Sequence, residues 1–375
     1  MRVKLAVAPK MGREVFIEEV ELEEPGPHDV RIKVMTCSIC HSDIHLLAGE
    51  HGEYDGPGAA GHEIAGIVDA VGEKVTYVKP GDRVLSSLVR QGCGNCVQCY
   101  NDGHWFCENI PPMSFRAPSP YIRDNGERVI QTCSGASGFS TYTNAHEAML
   151  CKLDDDIPFR IGSILACGFM SGFGAVLNRS KPKPGDSFVT IGCGGVGLSA
   201  IMGAKYCGCV PIIAIDINPA KLEAAKRYGA THCINPREVD DPIALVKDIA
   251  KGSGEVGYGV NHSFVAVAGD VKRMAFDMTA PYGQMVIVGH GHPRDEGMAD
   301  FNFMEVLLSK KITGCVMGGV TLRRDIPKYM EMYRTGQLEL DSLLTNTFKL
   351  DDIQEALIDS EKGIALKNLV ICNEE

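Results

Sequence analysis

A chain of 375 residues exceeds what one ordinary hydrophobic core organises, so two domains are the default expectation. Its 45% apolar and 23% charged residues are those of a soluble globular protein, and a formal charge of −11 argues against nucleic acid or an anionic membrane as the main partner. No apolar run approaches the roughly 20 residues a membrane helix needs, and the first fifteen residues carry no small-residue cleavage site, so the expected location is cytoplasmic.

Residues 1–35 alternate apolar and polar side chains around the breaker Pro25-Gly26-Pro27, which predicts β-strands with one solvated face. Residues 61–85 continue that pattern, with short Val/Ile runs and a Lys-Pro-Gly-Asp turn, so an irregular antiparallel β domain opens the chain. From 86 to 145 the regularity is lost. A loop this long needs something to pin it, and four cysteines lie within it.

Near residue 160 the character changes. Phe159–Val176 reads as one apolar helix. A buried-type strand at 187–192 follows, then a glycine-rich turn and helix, and a second strand at 210–216. Helices are predicted at 219–228, 242–251 and 270–278, alternating with strands at 231–234, 260–267 and 284–289. Such alternation implies βαβ units and a parallel sheet. From about 313 onward the pattern no longer fits further βαβ repeats, with helices near 324–335 and 351–359 and a closing strand. This part is expected to return to the first domain.

Gly192, Gly194, Gly195, Val196 and Gly197 lie in a G-x-G-G-x-G run between a predicted strand and a predicted helix. Glycines there permit a tight turn and close approach of a pyrophosphate to the helix amino terminus. Nineteen residues beyond Gly197, Asp216 ends the next strand, where a carboxylate binds ribose hydroxyls and repels a 2′-phosphate. The pattern points to NAD.

Fifteen cysteines, several of them tightly clustered and without a signal sequence, suggest metal ligands rather than disulfides. Cys93, Cys96, Cys99 and Cys107 have C-x2-C-x2-C-x7-C spacing. This spacing closes four thiolates on one structural zinc; an iron–sulfur cluster is the competing reading, and no other feature suggests electron transfer. Cys133, Cys151, Cys193, Cys207, Cys209, Cys233, Cys315 and Cys372 are expected to be small buried hydrophobes. A second constellation joins Cys40, His62 and Cys167, a Cys2His set that leaves one position of a catalytic zinc open. Asp43 is a natural support for a ligating imidazole, and Glu63, next to His62, is placed to tune the metal or lend a transient ligand.

Together CHSDIH, GHEIAGIV, KPGDRV, the four-cysteine lobe, ACGF, GCGGVGL, IIAIDIN and LKNLVI resemble, nearly end to end, the zinc-dependent alcohol dehydrogenases of the medium-chain dehydrogenase/reductase family. The long segment after the lobe resembles the animal and plant type, which includes the glutathione-dependent formaldehyde dehydrogenases. The resemblance implies an α/β architecture. A GroES-like irregular β catalytic domain (1–168 and 313–375, with the zinc lobe at 93–107) is joined to a Rossmann doubly wound parallel-sheet domain (169–312). It also implies two zinc ions per chain, NAD and a homodimer, with a homotetramer as the second choice.

Roles follow residue by residue from the same resemblance. Ser42 receives the alcohol's proton and His45 passes it on, while Cys37 is a packed neighbour of the metal site. His41 stands where many members have Arg on the pyrophosphate, which implies a looser grip on the cofactor. Ser171, Val288 and His290 line the nicotinamide, Lys221 follows Asp216 at the adenosine ribose, and Lys367 lies near the pyrophosphate. The expected reaction interconverts a primary or secondary alcohol and its aldehyde or ketone. Leu, Val, Met113, Phe115 and Phe139 along the expected pocket favour an apolar or aromatic substrate. A glutathione-adduct formaldehyde dehydrogenase is the alternative; it needs a basic residue for the adduct's carboxylate, for which Arg116 and Arg123 are the candidates. Intact ligands and glycine loop argue against a non-catalytic binding protein and against the zinc-free C=C reductases.

Overall fold

The computed structural model describes residues 1–50, 52–109, 118–133, 135–251, 258–289, 303–307, 309–363 and 365–374. The chain forms two compact units, Met1–Cys167 with Thr321–Glu375, and Gly168–Val320.

The first unit is built on two sheets. In the smaller, Arg2–Val7 pairs antiparallel with Phe16–Leu22, which continues through Pro118–Ile122 and Arg128–Gln131 to Gly58–Ala59. The larger has Asp29–Ser38 near its middle. That strand pairs antiparallel with Glu63–Val71, Tyr142–His146 and the closing strand Lys367–Ile371. The alternation read in residues 1–35 is borne out: Val30, Ile32 and Val34 are fully buried while Arg31 and Lys33 stay part-exposed. Those inward side chains join Ile64, Val68, Val84 and Leu150 in one core, capped by Ile353, Ala356 and Leu357 of the helix Ile353–Lys362.

In the second unit six strands lie parallel, in the order His232–Ile234, Ile212–Ile215, Phe188–Ile191, Val260–Val265, Thr279–Ile287, Lys311–Gly314. Strands buried on both faces read as near-continuous apolar runs, and Phe188–Ile191 and Ile212–Ile215 are buried at every position, with Thr190 their one polar residue. The order reverses direction between Phe188–Ile191 and Val260–Val265. Ligands of doubly wound sheets bind at the carboxyl ends of the strands flanking such a switch.

Two expectations need correction. The chain returns to the first unit at Thr321 rather than 313, because Lys311–Gly314 adds a further strand beside Thr279–Ile287 and the short turn Met317–Gly319 packs on the helix Gly168–Ala175. Phe159–Val176 is not one helix; it breaks at Ala166–Cys167 into Phe159–Leu165 and Gly168–Ala175. The break sets Cys167 outside both helices. Among the described residues no single helix is long and apolar enough to cross a membrane.

Candidate catalytic metal site

Cys40 is the amino-terminal cap of the helix His41–Leu47, at the end of the central strand Asp29–Ser38. His62 immediately precedes the neighbouring strand Glu63–Val71, and Cys167 sits at the helix break. Three sequence-distant turns thereby converge. Ligand atoms of Cys40, His62, Glu63 and Cys167 all lie within 4.8 Å of one another, and His62 Nε2 is 3.4 Å from Cys167 Sγ. A tetrahedral zinc with ordinary Zn–N and Zn–S bonds needs about 3.6 Å between such a pair, so the set fits that ion. His62 and Cys167 are buried and Cys40 partly so.

The three ligand groups and Asp43 are electrostatically coupled. A hydrogen bond from Cys167 holds the Cys40 thiol well below its usual range, with the His62 charge adding to the effect, and Cys167 carries the complementary rise. Burial, the largest single influence, opposes protonation of His62, but the charges of Asp43, Cys133 and Cys167 and the Asp43 hydrogen bond together outweigh it and lift the imidazole well above the usual range. Asp43 is wholly buried and fully used. Its Oδ1 accepts from His62 Nδ1 at 2.8 Å and from the Gly61 N–H at 2.9 Å, and its Oδ2 accepts from the Cys40 N–H at 3.1 Å. One carboxylate thus fixes the His62 tautomer and ties two of the converging turns together, leaving Nε2 facing the thiols.

Glu63 is wholly buried, and the structure shows its counter-ion. Lys367 Nζ lies 2.5 Å from Glu63 Oε2, and Ser38 Oγ donates to the same oxygen. Burial raises the Glu63 carboxyl, opposed by the Lys367 charge; burial alone would lower Lys367, and Glu63 reverses that. Lys367, expected near a pyrophosphate, pairs with Glu63 because the strand Lys367–Ile371 lies antiparallel beside Asp29–Ser38. Cys133, expected to be an isolated hydrophobe, groups with Asp43 and His62 within 4.8 Å. Cys37 is buried in the sheet, outside every such group. No local spacing pointed to Lys367 or Cys133, since both reach the site only through tertiary folding.

Ser42 is half-buried, with Oγ 3.7 Å from Cys40 Sγ at the rim of the cluster. His45 lies one turn further along the same helix and bonds through Nδ1 to Glu50. His41 is exposed at the first helical position.

In the four-cysteine lobe the Sγ atoms of Cys93 and Cys99, and of Cys96 and Cys107, are each 4.0 Å apart. Tetrahedral Zn–S bonds place such sulfurs about 3.8 Å apart. Backbone amides support the thiolates: the Asn95 N–H donates to Cys93 Sγ and the Cys93 N–H to Cys107 Sγ, both at 3.4 Å. Chiefly through that Asn95 amide, the Cys93 thiol falls to about 6, whereas burial pushes Cys99 up to about 12. The lobe fits a closed structural zinc.

In the second unit Gly192 follows its strand with φ +95°, a conformation that favours glycine. A Cβ on Gly197 would stand 1.8 Å from the Gly192 carbonyl oxygen, so the turn can close only with glycine there. Gly194, by contrast, faces open space at the amino terminus of the helix Gly195–Tyr206. That is room for a phosphate. Asp216, just past its strand, accepts from the Cys193 N–H at 2.7 Å and from the Asn218 N–H at 2.8 Å. Each oxygen keeps a lone pair for a ribose hydroxyl. Lys221 is half-buried on the helix Pro219–Tyr228, Val288 immediately follows the strand Thr279–Ile287, and Ser171 is buried with its hydroxyl 3.7 Å from Met317 Sδ. His290 lies outside the described residues, as do Met113, Phe115 and Arg116.

Residues 26–155 match the alcohol dehydrogenase GroES-like domain family, and residues 195–335 match the zinc-binding dehydrogenase family. Among solved structures, benzyl alcohol dehydrogenase from Acinetobacter calcoaceticus is similar at 31% identity with a TM-score of 0.87, covering 100% of both chains. An alcohol dehydrogenase zinc-binding domain protein from Burkholderia ambifaria is similar at 29% identity and TM-score 0.89, again over 100% of each chain. The 2R,3R-butanediol dehydrogenase from Bacillus subtilis is similar at 26% identity and TM-score 0.74, over 99% of this chain and 100% of its own.

Proposed function

We propose an activity from the premise that this chain belongs to the zinc-dependent alcohol dehydrogenases of the medium-chain dehydrogenase/reductase family: it interconverts an aromatic or other apolar alcohol and its carbonyl product, with NAD as hydride acceptor. The observation that carries the reading is the convergence of Cys40, His62 and Cys167, with Glu63 beside them and Asp43 behind them. When bound, zinc supplies a Lewis acid that lowers the pKa of the alcohol, and oxidised nicotinamide supplies the hydride acceptor.

The chain's own residues do the rest. Cys40, His62 and Cys167 hold the metal in a largely buried pocket where charge is poorly screened. Ser42 Oγ, at the rim, receives the proton of the alcohol, and His45 carries it onward. Gly192 to Gly197 seat the pyrophosphate, and Asp216 accepts the ribose hydroxyls while repelling a 2′-phosphate. His41, Ser171, Lys221 and Val288 are the remaining proposed cofactor contacts.

The benzyl alcohol dehydrogenase likeness supports an aromatic primary alcohol. The glutathione-adduct reading needs a free basic residue from the loop after the lobe. Arg123 does not offer one, since its guanidinium bonds Glu18 at 2.8 and 2.9 Å and Glu127 at 2.7 Å. A panel of alcohols with NAD tests the proposal: benzylic and other apolar alcohols should yield NADH faster than S-hydroxymethylglutathione does, and the reverse order would overturn the substrate assignment. For the cofactor, Asp216→Gly should raise the ratio of NADP to NAD activity; an unchanged ratio would remove Asp216 from the ribose site.

A further inference from the structure

We infer that Glu50 is a positioning residue for His45, holding the imidazole through Nδ1 so that Nε2 is the ring atom that takes the substrate's proton. The inference rests on the relay role proposed for His45 above and adds a member to it.

The local chain brings the two together. Helix His41–Leu47 ends two residues after His45, the backbone reverses through Gly49 at φ +74°, and the Glu50 N–H donates to the His45 carbonyl at 2.9 Å. The Glu50 carboxylate therefore folds back onto the last helical turn, where its Oε2 meets His45 Nδ1. Its other oxygen accepts from Arg13 Nη2 at 2.6 Å, and Arg13 bonds Glu361 on the helix Ile353–Lys362 through Nη1. Among the described residues, charged groups facing this pair include Arg13 and, behind it, Glu361. On the helix of His45, Asp43 is taken up by His62 and two backbone amides.

The chemistry constrains the tautomer. Burial of Glu50 favours its neutral form, but the His45 hydrogen bond and Arg13 outweigh that and hold the carboxyl below its usual range. An ionised carboxylate only accepts, so Nδ1 of His45 must carry the hydrogen and Nε2 presents the lone pair. The same device appears at His62, whose Nδ1 is held by Asp43 while Nε2 faces the metal ligands. Two histidines are thus each fixed by a carboxylate at Nδ1. The proton that Nε2 takes leaves to water when the imidazolium releases it, and Glu50 is unchanged at the end of the cycle.

The test is the pH profile of alcohol oxidation by the full zinc-loaded chain, for Glu50→Ala, Glu50→Gln, His45→Gln and the Glu50→Ala/His45→Gln double variant. Glu50→Ala should lower kcat by about 10- to 100-fold, as loss of a supporting carboxylate does elsewhere. It should also move the acid limb of the profile to lower pH, because the counter-charge to the protonated relay is gone. Glu50→Gln is isosteric and can still accept from Nδ1, so it should keep more of kcat and show the same limb shift. In the His45→Gln background Glu50→Ala should add nothing. A role for Glu50 in loop packing alone would lower kcat without moving the limb and would persist in the double variant, and either result overturns the inference. If His45→Gln itself leaves the profile unchanged, the relay proposal fails; if it alters the profile while Glu50→Ala and Glu50→Gln do not, only the Glu50 role fails.

Discussion

The two sulfur-rich clusters of the first unit solve different problems with the same atoms. In the lobe, four thiols come from fifteen consecutive residues, with Cys93 exposed, and backbone amides of the same loop supply the support. In the other, the three proposed ligands come from positions 40, 62 and 167, their environment is mostly buried, and the support is a buried carboxylate. A loop with little apolar content needs a cross-link, and four thiolates saturate the ion that makes it. A site that must bind substrate keeps one position open, so its other ligands must be held from outside. Asp43 does that here, through His62 Nδ1 and the Cys40 N–H.

The largest effect that could break this contrast is loss of a ligand from the buried set. Cys167→Ser should lower alcohol oxidation by at least about 10³-fold, the scale of the several kcal/mol a Lewis-acid metal contributes. Metal content should fall from two ions per chain toward one, and the thermal transition should persist. If both ions remained and activity survived, the assignment of Cys167 as a ligand would be wrong.

Next is the support. Lys367→Met leaves Glu63 buried without its counter-ion, which should destabilise the first unit by about 3–5 kcal/mol in denaturant unfolding. Adding Glu63→Gln should recover part of the loss, because the uncompensated charge goes with it. Recovery would show that the cost lies in the pair; a purely additive double variant would show the two residues acting separately.

These pairings also mark how far the sequence could be read. The parallel sheet and glycine loop were legible because their signals are local: apolar four-residue strands, turn glycines, and an acid at the next strand end. The lobe was legible for the same reason. Cys40, His62 and Cys167 were read from ligand chemistry and family resemblance, since nothing in their spacing brings them together. The partners were not legible. Lys367 meets Glu63 only because the last strand lies beside the central one, and Cys133 meets His62 from another loop. Glu50 is five residues from His45, yet its role depends on a backbone reversal at Gly49. The break at Ala166–Cys167 was hidden because small apolar residues suit a helix interior and a helix end alike.

The smallest expected effect on catalysis, and the sharpest test of the contrast, is loss of a lobe ligand. Cys99→Ser removes a buried thiol from a cluster whose other members remain. Structural metal binding is folding free energy, so the variant should lose about one zinc per chain and become more susceptible to proteolysis within 93–107. The proposed catalytic set, Cys40, His62 and Cys167, shares no residue with the lobe, so turnover per chain should equal that of the unaltered protein. Proteolytic nicking confined to the lobe, with unchanged turnover, would establish the cluster as a cross-link alone. A fall in turnover per chain with an intact lobe would instead show that the four thiolates set the geometry of the distant open site, and the division of labour between the two clusters would have to be abandoned.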